Sequence, residues 1–111
     1  MAKIELEFTL KGEDYDSIID TAGYGVGYWA SYMYSTDKGC HFTEEESGKK
    51  FFITREALEK AVAELYAESP LNDYYMSSIR ELVETGQPGS VGSDIADAIV
   101  QQACFGKVIY G

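Results

Sequence analysis

Hydrophobic and polar residues alternate strictly at the start of the chain. The apolar side of this stretch holds Ile4, Leu6, Phe8 and Leu10. Successive side chains of a β-strand point to opposite faces, so a period of two is typical of a strand with one buried face. The pattern predicts a half-buried strand over residues 3–10.

After Gly12 the apolar residues recur every three or four positions. Acidic side chains open this stretch and can cap and stabilise a helix N-terminus, and its apolar side holds Tyr15, Ile18, Ile19 and Ala22. Glycines then stand at 23, 25 and 27, and each would cost a helix roughly 1 kcal/mol relative to alanine. We therefore expect a helix over residues 13–22 that ends at Gly23.

Alternation returns after the glycines. The pattern favours two strands, over residues 28–35 and 40–43, joined by the turn Asp37-Lys38-Gly39. A helical stripe through Val26 and Trp29 is an alternative for residues 28–35. Residues 49–53 contain Phe51-Phe52-Ile53, a sequence of high β-propensity, and Ser47-Gly48 provides the preceding turn. A hairpin followed by a third strand is predicted.

The second half of the chain has helical spacing. Thr54 can cap a helix that Pro70 stops, and a second helix starts near Asn72 and ends before Gly86. Both helices are predicted to be amphipathic.

A third helix in this half is predicted after the loop of residues 87–92. Ser93 is the expected cap and Gly106 the expected left-handed terminator, and Val108–Tyr110 would be a short terminal strand that pairs into the sheet. Together the elements predict a single acidic α+β domain over residues 1–111, a small antiparallel sheet packed with three to four helices.

The net charge of the chain says more about its function than about its fold. The 111 residues carry 9 Lys plus Arg against 19 Asp plus Glu, a net charge of −10, and the acids concentrate in residues 1–48. Such a surface repels phosphate backbones, so direct nucleic-acid binding is disfavoured. Without an apolar stretch of membrane-spanning length or an apolar leader, we expect a cytoplasmic protein that does not enter a membrane.

The reactive side chains do not form a recognisable catalytic or metal-binding motif. Cys40, His41 and Cys104 lack the close pairing of a zinc site, and neighbouring strand residues such as Cys40 and His41 point to opposite faces. In a reducing compartment Cys104 is most simply a core residue. We expect no enzyme, metal or cofactor.

Aromatic residues are unusually dense between Tyr24 and Tyr34. Core packing of Trp29, edged by tyrosines, is one interpretation of this cluster. Exposed tyrosines that anchor a protein partner are a second. A third is a pocket for a nucleotide-like ligand, for which the candidate residues are Gly25, Tyr28 and Trp29. In the second interpretation the anchors and surrounding acids are Tyr32, Tyr34, Asp14, Asp16, Asp20, Glu44, Glu45 and Glu46.

Two segments resemble a family of small phage- and prophage-encoded proteins. They are residues 13–29, which end in G-V-G-Y-W, and A-D-A-I-V-Q-Q-A-C-F-G-K-V-I-Y-G at residues 96–111. Tyr24 and Lys107 depart from that family's usual glycine and acid. The resemblance implies a phage accessory protein in a bacterial host cell, and it provides no catalytic residues.

The sequence therefore favours a non-enzymatic inhibitor that binds a host protein. Its specific form would be an acidic, nucleic-acid-mimicking, anti-CRISPR-like inhibitor that occupies the basic groove of a host nuclease. A small-molecule sequestering protein and a structural phage component are the alternatives, and self-association stays open.

Overall fold

A computed structural model describes residues 8–110 of the chain. The elements in order are α1 (Gly12–Ala22), β1 (Ala30–Ser35), β2 (Cys40–Glu44), β3 (Lys50–Ile53), α2 (Arg55–Glu68), α3 (Asp73–Thr85) and α4 (Ser93–Phe105). The three strands form one antiparallel sheet in the order β1-β2-β3. The predicted α+β class is confirmed.

Helix α4 is the central element of the fold. Every residue from Ile95 to Gln102 is buried, because α1, α2, α3 and β3 all pack against this helix. An α-helix with buried residues on all sides belongs in a core. The same burial places three polar side chains, Asp97, Gln101 and Gln102, inside the protein.

The sheet has one covered face and one open face. Cys40, Phe42 and Ile53 point from β2 and β3 into the core. His41 and Phe52, their neighbours along the strands, are paired across the sheet on the other face. The alternation predicted from the sequence is therefore present in β2 and β3, where it separates core residues from a surface, whereas a register shift between Ala30 and Tyr32 interrupts it in β1.

Most helix boundaries agree with the predictions. The Thr54 hydroxyl accepts a hydrogen bond from the Ala57 amide at the start of α2, and the Asn72 side chain accepts one from the Tyr75 amide at the start of α3. Gly106 has a left-handed backbone conformation at the end of α4, which is the position that favours glycine over other residues.

Three predictions need correction or fall partly outside the described chain. Positions 3–7 of the predicted first strand lie outside the described residues, and residues 8–10 lie in no strand. Ser93 is not a cap: it is already within α4, Gly92 precedes the helix without a side-chain cap, and the Asp94 carboxylate accepts from the Ile95 amide instead. Residues 108–110 form no strand, because the amides of Ile109 and Tyr110 donate to the Gln101 side chain and not to the sheet.

Candidate functional site

The Asp97 carboxylate is the centre of a buried polar cluster. Its Oδ1 accepts hydrogen bonds from Trp29 Nε1 at 2.7 Å and from Gln101 Nε2 at 3.0 Å, and its Oδ2 accepts one from the Tyr28 hydroxyl at 2.6 Å. Asp97 and Gln101 lie four residues apart, hence on the same side of α4. Buried polar groups need such partners, because an unpaired one costs about 1–3 kcal/mol.

Gln101 connects this cluster to the C-terminal segment. Its Oε1 accepts from the amides of Ile109 and Tyr110 at 3.0 and 2.8 Å, and its Nε2 donates to the carbonyl of Tyr110 at 3.2 Å. One glutamine side chain thus replaces the strand pairing that the sequence predicted for this segment. The position of Tyr110 depends on it.

The Tyr110 ring lies parallel to the indole of Trp29, with centroids 5.9 Å apart. Its hydroxyl donates to a carboxylate oxygen of Glu44, with a second carboxylate, that of Glu46, at 3.4 Å. Trp29 is only 2% exposed, as expected for the core interpretation of this residue. Its indole is therefore not open for stacking on a ligand.

The glycine-rich segment approaches α4 very closely. A Cβ atom built on Gly25 would lie 2.4 Å from the backbone oxygen of Ser93, a distance that no side chain tolerates. Gly27 has open space in the same position. The glycine at 25 is thus required for contact between this turn and the start of α4, and that contact places Tyr28 and Trp29 at Asp97.

A shallow cleft of about 540 Å³ opens beside the polar cluster. Its lining residues are Gly25, Tyr28, Tyr75, Ser93, Asp94, Asp97 and Tyr110. Two of the three residues predicted for a ligand site, Gly25 and Tyr28, line this cleft, and Trp29 lies enclosed behind it. The glycine-rich turn and the C-terminal residue Tyr110, far apart in the sequence, meet here.

Two tyrosines that line the cleft, Tyr28 and Tyr110, keep their hydroxyl protons well above neutral pH. Burial, followed by the hydrogen bond to Asp97, raises the pKa of Tyr28 to about 12. The hydrogen bond to Glu44 is the main reason that the pKa of Tyr110 is raised to about 12 as well. Both hydroxyls are therefore hydrogen-bond donors under physiological conditions.

The open sheet face carries a row of aromatic rings. The Tyr34 and His41 rings stack at 4.3 Å, His41 lies 4.6 Å from Phe52, and Tyr32 contacts Tyr34 edge to face at 5.4 Å. Tyr32 is 59% exposed, and Tyr34 and Phe52 are each 44% exposed. We call Tyr32, Tyr34, His41 and Phe52 the aromatic row; it includes both tyrosines that the sequence suggested as partner anchors.

The predicted acidic residues do not come together in one patch. Asp16 shares a cleft with residues 36–38 at the β1–β2 turn, and Asp14 and Asp20 lie on the same helix, α1. Glu44, Glu45 and Glu46 lie at the β2–β3 turn, where Glu44 pairs with Ala30 at the opposite end of β1. Glu45 and Glu46 are exposed, whereas Glu44 accepts hydrogen bonds from Ser47 and Tyr110.

The two cysteines sit in environments that suppress thiolate formation. Burial raises the pKa of Cys40, and it raises the pKa of Cys104 to about 12. Cys40 points into the core while His41 joins the aromatic row. Among residues 8–110, no three His, Cys, Asp or Glu side chains are grouped as a metal ion would require. No helix in that part of the chain is long and apolar enough to cross a membrane.

Sequence reasoning missed Asp97 and Gln101, on which the cleft is built. A signal was present, since these two polar residues stand four apart among the apolar residues Ile95, Ile99 and Val100. It also missed His41 and Phe52 as members of the aromatic row, because their stacking with Tyr34 depends on the strand register. Comparison with protein-family models, curated proteins and solved structures finds no match.

Proposed function

We propose that this protein is a non-enzymatic binding protein whose aromatic row docks on a basic surface of a partner protein. The observation that carries the proposal is the row itself, four contacting rings on an open sheet face. Tyrosine side chains contribute strongly to protein interfaces, since they bury a large area while few rotamers are lost. A sheet holds them in fixed positions.

Charge argues for a basic partner. The net charge of −10 attracts a positive surface over a distance of about one Debye length, roughly 8 Å at physiological ionic strength. Glu45 and Glu46 are exposed at the β2–β3 turn, at one end of the sheet, and we take them as the acids that contact such a surface. We expect them to affect mainly the rate of association.

The resemblance to phage proteins suggests a more specific form of this proposal. In the cytoplasm of an infected bacterium, a basic surface of the required kind is the nucleic-acid-binding groove of a host nuclease. Occupation of that groove would inhibit the nuclease, as an anti-defence protein does. This form rests on the resemblance, while the docking proposal rests on the aromatic row.

The test is capture of partners from lysate of a bacterium that expresses defence nucleases, with mass spectrometry at low and moderate salt. We expect one stoichiometric nucleic-acid-binding protein whose recovery falls as salt rises. The double variant Tyr32→Thr/Tyr34→Thr should weaken its binding by at least about tenfold, the loss of one or two interface anchors. Threonine preserves β-propensity, so β1 should remain folded.

Two control variants separate docking from general effects. Tyr24→Thr removes a tyrosine that is 90% exposed outside the aromatic row and should bind normally. Glu45→Lys/Glu46→Lys should slow association more than Glu68→Lys/Glu81→Lys, which changes the net charge equally on α2 and α3. Equal binding by all variants, salt-independent capture, or self-association through this face would each contradict the proposal.

The sequestering alternative predicted a nucleotide-like ligand at Gly25, Tyr28 and Trp29. The cleft beside these residues is lined by two carboxylates, and none of its lining residues is basic. That lining disfavours a phosphate group, so the docking proposal is preferred. Purified protein should accordingly carry no nucleotide absorbance and show no thermal shift with nucleotides.

A further inference from the structure

We propose that the cleft between the glycine-rich turn and α4 binds the head group of an organic cation, an ammonium or a guanidinium. The site lies beside the Asp97 cluster and includes no residue of the aromatic row, so it does not depend on docking through that row. The residues that line it include three tyrosines, Tyr28, Tyr75 and Tyr110, and two acids, Asp94 and Asp97.

The tyrosine rings provide the first argument. Tyr28 and Tyr110 form an edge-to-face pair, with ring planes at 88° and centroids 6.4 Å apart, and both residues line the cleft together with Tyr75. The faces of aromatic rings attract cations, and cages of several rings recognise ammonium groups. The hydrogen bonds of Tyr28 and Tyr110 to carboxylates hold these two rings in place before a ligand arrives.

The carboxylates provide the second argument. The donors to Asp97 are an indole, an amide and a phenol, all of them neutral, so its negative charge is hydrogen-bonded but not balanced by them. Asp94 adds a second negative charge to the cleft, and Glu44 and Glu46 lie at the hydroxyl of Tyr110. None of the seven residues that line the cleft in the described part of the chain is basic. A concave surface of one charge sign concentrates ligands of the opposite sign.

An anion is a poor competitor for this cleft. The start of α4 would ordinarily favour a negative group, but Asp94 already occupies that position and accepts from the Ile95 amide at 2.8 Å. A phosphate would meet two carboxylates and no basic side chain. The volume of about 540 Å³ accommodates a small head group such as trimethylammonium or guanidinium.

The test uses the only tryptophan of the chain as its reporter. The indole N–H of Trp29 donates to Asp97, so its proton–nitrogen NMR crosspeak reports on the carboxylate of the cleft. Choline and agmatine should shift this crosspeak saturably, with affinities of about millimolar strength. Neohexyl alcohol, the neutral isostere of choline, and inorganic phosphate should leave it unchanged.

Matched variants assign the effect to the cleft. Asp94→Asn keeps an oxygen that can accept from the Ile95 amide but removes the charge, and it should weaken choline binding about three- to tenfold. Glu68→Gln removes an equal charge from an exposed position at the end of α2 and should bind choline like the unchanged protein. Comparison of the two isolates the local charge from the net charge.

The source of the cation is distinguished by a further arm. Free amines are represented by choline and agmatine, and a protein side chain is represented by a Gly-Arg-Gly peptide with blocked ends. Saturable binding of either kind supports the cation site and names its source. The cation site would be overturned if neohexyl alcohol bound as tightly as choline or if phosphate shifted the crosspeak. It would also be overturned if Asp94→Asn and Glu68→Gln had equal effects on choline binding, or if no cation shifted the crosspeak.

Discussion

At the scale of single residues, Asp97 is the side chain whose loss should be most damaging. It accepts hydrogen bonds from Tyr28, Trp29 and Gln101 and is 7% exposed. Asp97→Ala leaves three donors without their acceptor in a buried site, and we expect it to lower the free energy of unfolding by about 2–4 kcal/mol. Urea unfolding followed by tryptophan fluorescence measures this loss.

Asp97→Asn is the conservative partner of that variant. Its side-chain oxygen can still accept from Trp29, while the amide group that replaces Oδ2 no longer accepts from Tyr28. The decrease in the free energy of unfolding should therefore be smaller than for Asp97→Ala, about 1–2 kcal/mol. If Asp97→Ala were as stable as the unchanged protein, the polar cluster would have no structural role.

The sequence allowed part of the candidate site to be predicted, and the reason is visible residue by residue. Gly25, Tyr28, Tyr32 and Tyr34 stood out because unusual residue types cluster within a short segment. The partners Asp97 and Gln101 are about 70 residues further along the chain, and only the packing of α4 brings them to Tyr28. Contacts of that kind are set by tertiary structure, which local patterns do not report.

At the scale of elements, the turn between α1 and β1 must pack directly on the start of α4. Gly25→Ala would place a methyl group 2.4 Å from the Ser93 carbonyl oxygen, so the backbone of one element must move. We expect a loss of at least about 1–3 kcal/mol in the free energy of unfolding, typical of overpacking. Chemical denaturation gives the value.

Gly27→Ala is the matched control, since a Cβ atom there meets no atom within 4 Å. Its free energy of unfolding should stay within about 0.5 kcal/mol of that of the unchanged protein, as is usual for surface substitutions. Equal stability of the two alanine variants would mean that the close approach at Gly25 is not needed.

The periodic elements were predictable because their patterns are local. Helices α1 to α4 and the three strands follow the spacing of their apolar residues, and Thr54, Asn72 and Gly106 mark helix ends through their own side chains or backbone. The C-terminal segment was predicted wrongly for the opposite reason. Val108–Tyr110 has the composition of a strand, but the Gln101 side chain satisfies its backbone amides.

At the scale of the whole molecule, a phenol that is hydrogen-bonded to a carboxylate gives stability a specific dependence on pH. Burial and hydrogen bonding to Asp97 raise the pKa of Tyr28 from about 10 in the unfolded chain to about 12 in the folded protein. Between these values the folded state binds more protons, so rising pH favours unfolding. The contribution is fully present below pH 10 and is lost as the pH rises through 12.

We therefore expect the free energy of unfolding to fall more steeply with pH above 10 in the unchanged protein than in Tyr28→Phe. The variant should be less stable near neutral pH, because the hydrogen bond to Asp97 is gone, and the difference between the two proteins should narrow as the pH rises. Urea titrations at closely spaced alkaline pH values measure both slopes. Tyr24→Phe, which alters an exposed ring, should retain the slope of the unchanged protein. If the free energy of unfolding of Tyr28→Phe fell as steeply with pH as that of the unchanged protein, Tyr28 would not be the cause of the loss of stability above pH 10.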